Sequence, residues 1–227
     1  MRRLGGVGVT MPILRLRRNG LTMRVERAPA DGACARDALG HEWGDVLATA
    51  LPGATWVALP NVGHAIERTA AALALDAVIL TGGNDLGTCA RRDETEASLL
   101  RHCLGAGIPV LGVCRGLQMV QTFFGGSLRA ASAAHDAGRV HAIEVIDRRA
   151  HRLLGTTRMR APSYHRFGVD AAALAPQLEA WALSDDGMVE ALAHRSAPIV
   201  AVQWHPERPL PEPDVALRLL RGFCDVG

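Results

Sequence analysis

The six residues Leu111–Gly116, which read LGVCRG, carry the most informative structural pattern in this chain. A continuous apolar run over Ile108–Val113 predicts a buried strand, and helical spacing follows at Leu117–Phe124. The two glycines permit a tight strand-to-helix turn that places the Cys114 thiol at the carboxyl edge of the sheet. The start of the helix favours a thiolate and offers backbone N–H groups to an oxyanion. The pattern predicts a nucleophile elbow, and an inert cysteine at a glycine-rich turn is the alternative.

Apolar strands alternate with helical stretches along the chain. Strands are predicted at Gly20–Val25, Ala54–Leu59, Asp76–Thr81, Ala142–Ile146, Arg158–Ala161, Val189–Ala193 and Pro198–Trp204. Helices are predicted at Asp37–Leu51, Ile66–Leu75, Asp93–Gly105 (with Asp93 as the N-cap) and Asp214–Cys224. Continuous apolar strands separated by helices indicate a three-layer α/β domain with a mainly parallel central sheet and helices on both faces.

The composition excludes several classes of protein. The 227 residues are 48% hydrophobic with a formal net charge of +2, which argues against disorder and against a dedicated nucleic-acid binder. Five widely spaced cysteines indicate a reducing compartment, and no apolar run is long enough to span a membrane, so we expect a cytoplasmic protein. Residues 1–18 are expected to be an N-terminal extension rather than an export signal, and residues 19–227 to form a single domain.

A general base for Cys114 is found in the stretch Gln203–Glu207, which reads QWHPE and ends the last predicted strand. His205 and Glu207 lie two residues apart, so their side chains point to the same side of an extended segment. His205 can take the thiol proton and later protonate a leaving amine, while Glu207 can fix the imidazole tautomer. Taken alone, the segment fits a solvated surface turn equally well.

A glycine pair follows the predicted strand Asp76–Thr81, in the sequence TGGNDL at Thr81–Leu86. Consecutive glycines let backbone N–H groups approach a ligand closely. The N–H of Gly83 is the candidate to pair with that of Arg115 as an oxyanion hole. A tight turn without a ligand is the alternative.

Taken together, these motifs resemble the class I glutamine amidotransferase superfamily, which has a flavodoxin-like fold, and within it the γ-glutamyl hydrolase group known as peptidase family C26. The matching stretches run in the family's order: Thr81–Leu86, Gly107–Gln118, Ser163–His165, Asp186–Ala191 and Gln203–Glu207. The resemblance implies that Cys114 is the nucleophile, His205 the base and Glu207 its orienting carboxylate. It implies a small-molecule γ-glutamyl amide as substrate, with no cofactor.

The same resemblance implies a pocket for the γ-glutamyl moiety. Gln118 would help to hold that moiety, and Ser163, His165 and Asn84 would contribute to the same substrate site. The family pattern is broken on either side of the serine-to-histidine stretch, at Pro162 and Arg166.

A narrower resemblance concerns the N-terminal part of the chain. Arg24, the stretch Arg36–Leu39 and Trp43 are similar to the corresponding part of γ-glutamyl-CDP-amidate hydrolases. An anionic nucleotide substrate would give Arg24, Arg27 and Arg36 phosphate contacts, for which the arginine fork is well suited. Solvated surface arginines fit the sequence equally well.

Three functions are compatible with the sequence: a free γ-glutamyl hydrolase, a glutaminase subunit that delivers ammonia to a partner synthetase, and a non-catalytic relative. The intact set of Cys114, His205 and Glu207 counts against the third. The sequence leaves open whether the chain forms a homodimer. No metal site is predicted, because the spacing of four further histidines matches no standard ligand motif: His135, His141, His151 and His165.

Overall fold

The computed structural model describes residues 18–27 and 35–225. The predicted N-terminal extension therefore lies outside the described residues, except for Arg18, which begins the first strand. The strands are β1 (Arg18–Thr22), β2 (Arg24–Arg27), β3 (Ala35–Ala38), β4 (Thr55–Leu59), β5 (Ala77–Leu80), β6 (Val110–Val113), β7 (Arg129–Ala130), β8 (Val140–Val145), β9 (Arg158–Pro162), β10 (Phe167–Gly168), β11 (Leu178–Ser184), β12 (Val189–His194) and β13 (Ile199–Val202). The helices are α1 (Glu42–Ala50), α2 (Ile66–Leu73), α3 (Ala90–Ala106), α4 (Arg115–Phe123), α5 (Arg148–Leu154) and α6 (Pro213–Gly222).

The main sheet among the described residues has nine strands in the order β4-β1-β5-β6-β13-β12-β11-β8-β9. The first five of these strands pair in parallel, and the remaining pairings are antiparallel. In chain order, the parallel strands have the flavodoxin-like order 2-1-3-4-5, which places a topological switch point between β1 and β5. Ligands bind beyond the carboxyl ends of the strands at such a point. The predicted fold class is confirmed.

Helices cover both faces of the sheet, because successive strand residues point to opposite sides. In β5, Ala77 and Ile79 pack into the core that contains buried residues of α1, α5 and α6. Val78 and Leu80 pack instead against buried residues of α2, α3 and α4. This two-sided burial explains the continuous apolar character of the parallel strands. No helix among the described residues combines the length and the apolar character needed to cross a membrane.

Several element boundaries differ from the sequence-based expectation. The first strand ends at Thr22, and the chain then forms an antiparallel ribbon of β2 and β3, so α1 begins at Glu42 rather than at Asp37. Helix α3 begins at Ala90 with Cys89 as its N-cap, so the prediction of Asp93 as the N-cap is wrong. Strand β11 and helix α5 were not expected. Their short, mixed-polarity sequences carry little periodic signal.

Candidate active site

Cys114 occupies the bend between β6 and α4 with backbone angles φ +54° and ψ −102°. A positive φ is uncommon for a residue with a side chain, and here close packing maintains it. A Cβ atom at Gly116 would lie 2.2 Å from the Leu80 carbonyl oxygen, and one at Gly112 would lie 2.7 Å from the Gly116 carbonyl carbon. The Cys114 N–H donates to the Val202 carbonyl at 2.8 Å, which ties the bend to β13. The elbow geometry inferred from the sequence is therefore present.

The imidazole–carboxylate pair follows β13, the neighbour of β6. His205 Nδ1 lies 2.6 Å from Glu207 Oε1, and both side chains are buried. Burial lowers the pKa of His205, but its hydrogen bonds to Cys114 and Glu207, together with the charges of these two groups, raise the pKa to about 9. Since Glu207 engages Nδ1, the other ring nitrogen is left for the thiol. The structure thus joins the three predicted residues in one hydrogen-bonded row.

The loop after β5 brings backbone groups to the same place. Gly83 has φ +117°, a conformation that favours glycine. At Gly82, a Cβ atom would lie 2.7 Å from His205 Cε1, so the close approach of the loop to the imidazole requires a glycine. The Arg92 guanidinium fixes the loop from below, because its Nη2 donates to the carbonyls of Thr81 at 2.8 Å and Gly82 at 2.9 Å.

Asn84 has a different surrounding from the one that the resemblance implies. Its Oδ1 accepts from the Val25 N–H at 2.8 Å and from Arg92 Nη1 at 3.1 Å. Its Nδ2 donates to the Val25 carbonyl at 2.8 Å. The side chain therefore connects the β2–β3 ribbon to the loop after β5, and its carbonyl oxygen is fully occupied within the protein.

A buried ion network supports the elbow, and the sequence analysis did not predict it. Glu96 is fully buried and accepts from Arg115 Nη1 and from Arg92 Nε, the latter at 2.9 Å. Asp93 accepts from Arg115 Nη2. Burial raises the pKa of Glu96, but the two guanidinium groups outweigh it and hold the pKa below its usual value. Asp93, expected from the sequence to be the N-cap, and Glu96 instead mark the helix face that meets the elbow.

A small cavity of about 100 Å³ opens on one side of Cys114. Its lining includes Gly83, Cys114, Arg115, Gln118, His165 and His205. Gln118 Nε2 donates to the Phe167 carbonyl at 2.7 Å, and His165 Nδ1 lies 3.0 Å from the same oxygen. Burial lowers the pKa of His165 to about 4, so this imidazole is neutral. Ser163, two residues before His165, is buried, but it does not line this cavity.

A larger cavity of about 530 Å³ opens on the other side of the imidazole. Its lining includes Arg24, Trp43, Gly82, Tyr164, His205 and Arg208. The Tyr164 ring meets the His205 ring edge to face, with the ring centroids 5.6 Å apart, and the Arg208 guanidinium lies 4.2 Å from the Tyr164 centroid. Sequence analysis assigned no site role to Tyr164 or Arg208. Arg36 is exposed and does not line this cavity, and the side chain of Arg27 lies outside the described part of the chain.

The chain is thus an α/β protein in which a strand-to-helix elbow brings a thiol against an imidazole–carboxylate pair. The Peptidase C26 family model matches residues 38–207, and the chain belongs to this family. Its fold is that of the class I glutamine amidotransferases.

The similar proteins include one named as a hydrolase and others named as synthase subunits. The chain is 29% identical over 140 residues to the γ-glutamyl-CDP-amidate hydrolase of Campylobacter jejuni, a match that covers 59% of this chain and 63% of that protein. It is 30% identical over 152 residues to the glutamine-hydrolysing GMP synthase subunit of Pyrococcus furiosus, covering 66% and 74%. A Thermoplasma acidophilum structure, provisionally identified as a GMP synthase subunit, has a TM-score of 0.71 at 19% identity and covers 92% of this chain and 94% of its own. The chain spans 56% of the length of each of two further curated relatives.

Proposed function

We propose that this chain hydrolyses a γ-glutamyl amide, with Cys114 as the nucleophile. The observation that carries the proposal is the row formed by Cys114, His205 and Glu207 just beyond the carboxyl ends of two adjacent parallel strands, with a cavity on each side of the imidazole. A nucleophile, a base within hydrogen-bond reach and a group that orients the base are the requirements for nucleophilic catalysis.

In the first step, Cys114 Sγ attacks the γ-carbonyl carbon, and the carbonyl oxygen takes up negative charge. The backbone N–H groups of Gly83 and Arg115 stabilise this oxyanion. His205 gives its proton to the amine nitrogen, the C–N bond breaks, and the γ-glutamyl group remains on sulfur as a thioester. Burial of the network beneath the elbow keeps the donors in place.

In the second step, water gives a proton to His205 while its oxygen bonds to the thioester carbonyl carbon. The C–S bond then breaks, the Cys114 thiolate is restored, and glutamate leaves. In this scheme Gln118 and His165 line the acyl side, and Glu207 keeps the imidazole in the productive tautomer. No cofactor takes part.

We further propose that the leaving amine is large and anionic, as in γ-glutamyl-CDP-amidate or a related γ-glutamyl amine. Ammonia needs no large cavity, whereas the space beside His205 is about 530 Å³, a volume typical of small-molecule sites. Arg24 lines this cavity and is half-exposed, with Nε 3.2 Å from the exposed Glu26 carboxylate. A substrate phosphate can displace such a weak surface partner.

The second candidate function is that of a glutaminase subunit which delivers ammonia to a partner synthetase. The similarity to a GMP synthase subunit supports it. A free hydrolase turns over γ-glutamyl amides alone, whereas a dedicated glutaminase subunit depends on its partner. Turnover of glutamine and of γ-glutamyl amines by the purified chain therefore separates the two candidates.

The substrate experiment compares kcat/KM for γ-glutamyl-CDP-amidate, γ-glutamyl-GABA and glutamine. We expect Arg24→Ala to lower the value for the nucleotide roughly ten- to hundred-fold, the effect of losing one charge-assisted contact, and to leave glutamine unchanged. Arg36→Ala is the matched control, because that arginine lies outside the cavity. Equal losses with all three substrates would refute the anionic leaving group, while loss of all turnover in Cys114→Ala tests the hydrolase proposal itself.

A further inference from the structure

A second cluster of polar side chains lies apart from the row of Cys114, His205 and Glu207. His135 ends a short 3₁₀ turn, His141 lies on β8, and Glu190 lies on β12. The side chains of His135 and Glu190 are at most 1% exposed, and that of His141 is 12% exposed. One ligand atom from each residue lies within 4.8 Å of the others. Three separate segments therefore bring two imidazoles and a carboxylate together in the interior.

The distances within this cluster are compatible with a shared metal ion, although one of them is also that of a hydrogen bond. His141 Nε2 lies 3.1 Å and His135 Nδ1 lies 3.6 Å from the same oxygen, Glu190 Oε1. The longer distance exceeds that of a hydrogen bond. Two ligands that are each about 2.1 Å from a tetrahedral zinc ion lie about 3.4 Å apart. Both separations fall close to that value.

Some polar atoms of the cluster have no hydrogen-bond partner within the described part of the chain, although a neighbouring carboxylate orients one of the imidazoles. His135 Nε2 lies 3.1 Å from Asp186 Oδ1, and this contact orients the ring so that Nδ1 lies toward Glu190. This carboxylate–histidine pairing is typical of metal ligands. His135 Nδ1 and Glu190 Oε2 are buried without a hydrogen-bond partner. Buried polar atoms without a partner are costly, and a cation bound between the two side chains would satisfy both.

His165 extends the cluster toward the small cavity beside Cys114. Its Nδ1 bonds to the Phe167 carbonyl, its Nε2 is buried without a partner, and its ring centroid lies 4.9 Å from that of His135. His165 therefore packs directly against the cluster, and a water molecule would complete a four-ligand set. The same imidazole lines the acyl side of the cavity.

We propose that His135, His141 and Glu190 form a divalent metal site that accepts Zn²⁺. Imidazole and carboxylate ligands suit this ion, and the partial exposure of His141 provides an entry path. The ion fixes the turn at His135 to β8 and β12, directly behind His165, and so holds one wall of the small cavity. The site is structural and takes no part in bond cleavage, so it does not depend on the proposed hydrolase function.

The test uses the full chain, stripped with a chelator and titrated with Zn²⁺ by calorimetry. We expect one ion per chain and a rise in Tm of roughly 5–10 °C when zinc is present at about 100 times its Kd. Glu190→Gln and His141→Gln should each weaken binding at least about 100-fold, since loss of an outer-shell partner alone costs about 10- to 100-fold. Asp186→Asn should show that smaller loss.

Two control variants separate this site from other zinc ligands. His64→Gln removes a surface histidine whose Nε2 lies 2.7 Å from Glu94, and it should leave binding unchanged. Cys114→Ala removes the active-site thiol, and it too should leave stoichiometry and affinity unchanged. Because His141 is partly exposed, His141→Gln should fold even where Glu190→Gln does not. The proposal is overturned by a wild-type chain that binds no zinc, by binding that disappears in Cys114→Ala, or by unchanged affinity in His141→Gln.

Discussion

His205 Nδ1 lies 2.6 Å from Glu207 Oε1, two residues further along the same extended segment. In the proposed mechanism the contact orients the imidazole, and the imidazole itself carries the proton between thiol and amine. We therefore expect His205→Ala to lower kcat by about 10⁴-fold or more, and Glu207→Gln to cause a loss roughly 10- to 100-fold smaller. Steady-state kinetics with one γ-glutamyl amide measures both values.

Circular dichroism and urea denaturation provide the control for this pair, because Glu207 is nearly buried and its removal has a structural cost. Both variants should remain folded at the assay temperature. Equal, small losses of kcat in folded variants would mean that neither residue has the proposed role.

The raised pKa of His205 predicts an alkaline limit to activity. Burial disfavours the imidazolium, but the partners Cys114 and Glu207 outweigh it, so the proton is held until the pH rises through about 9. The sign follows from the direction of the shift: a raised pKa extends the protonated form upward, so the general acid is lost on the alkaline side. We expect the rate of acylation to fall above about pH 9. A pH series of single-turnover rates measures it.

The same shift can be followed without turnover. In Cys114→Ala the imidazole loses one of the two partners that raise its pKa, while Glu207 remains. An NMR titration of the His205 ring should therefore give a lower pKa in this variant than in the wild type. An unchanged value would show that the thiol does not hydrogen-bond to the imidazole.

The elbow and the residues Cys114, His205 and Glu207 were accessible from the sequence because each lies in a short local pattern. A buried strand followed by a glycine-flanked cysteine constrains the backbone of that stretch alone. The ion network was not accessible, since Glu96 and Arg115 are 19 residues apart and meet only when α3 packs beside the elbow. The hydrogen bonds of Asn84 were not accessible for the same reason, because its partner Val25 belongs to a ribbon that the sequence did not predict.

Glu96 provides a test of that network. Glu96→Gln would remove the carboxylate shared by Arg92 and Arg115 and leave buried guanidinium charge without its main partner. Breaking a buried ion pair in this way costs about 3–5 kcal/mol. We therefore expect the free energy of unfolding, measured in urea, to fall by about that amount.

Glu94→Gln is the matched control on the same helix. Its carboxylate is half-exposed and pairs with the exposed His64, so its loss should cost about 1 kcal/mol or less. A Glu96→Gln variant that is no less stable than Glu94→Gln would show that the network contributes little to folding.

The loop after β5 approaches the His205 imidazole closely at Gly82, where no side chain separates the two. In Gly82→Ala the new Cβ would lie 2.7 Å from His205 Cε1 and 3.6 Å from Cys114 Cβ, so the imidazole or the loop has to shift from its present position. A displacement of about 1 Å in a catalytic group costs on the order of 100-fold in rate.

Gly105→Ala is the matched control: this glycine lies near the exposed end of α3, and a Cβ added there would have no atom within 4 Å. Alanine there should raise the free energy of unfolding by about 0.5–1 kcal/mol and leave kcat unchanged. A Gly82→Ala chain with wild-type kcat would show that the loop and the imidazole do not need this close contact for turnover.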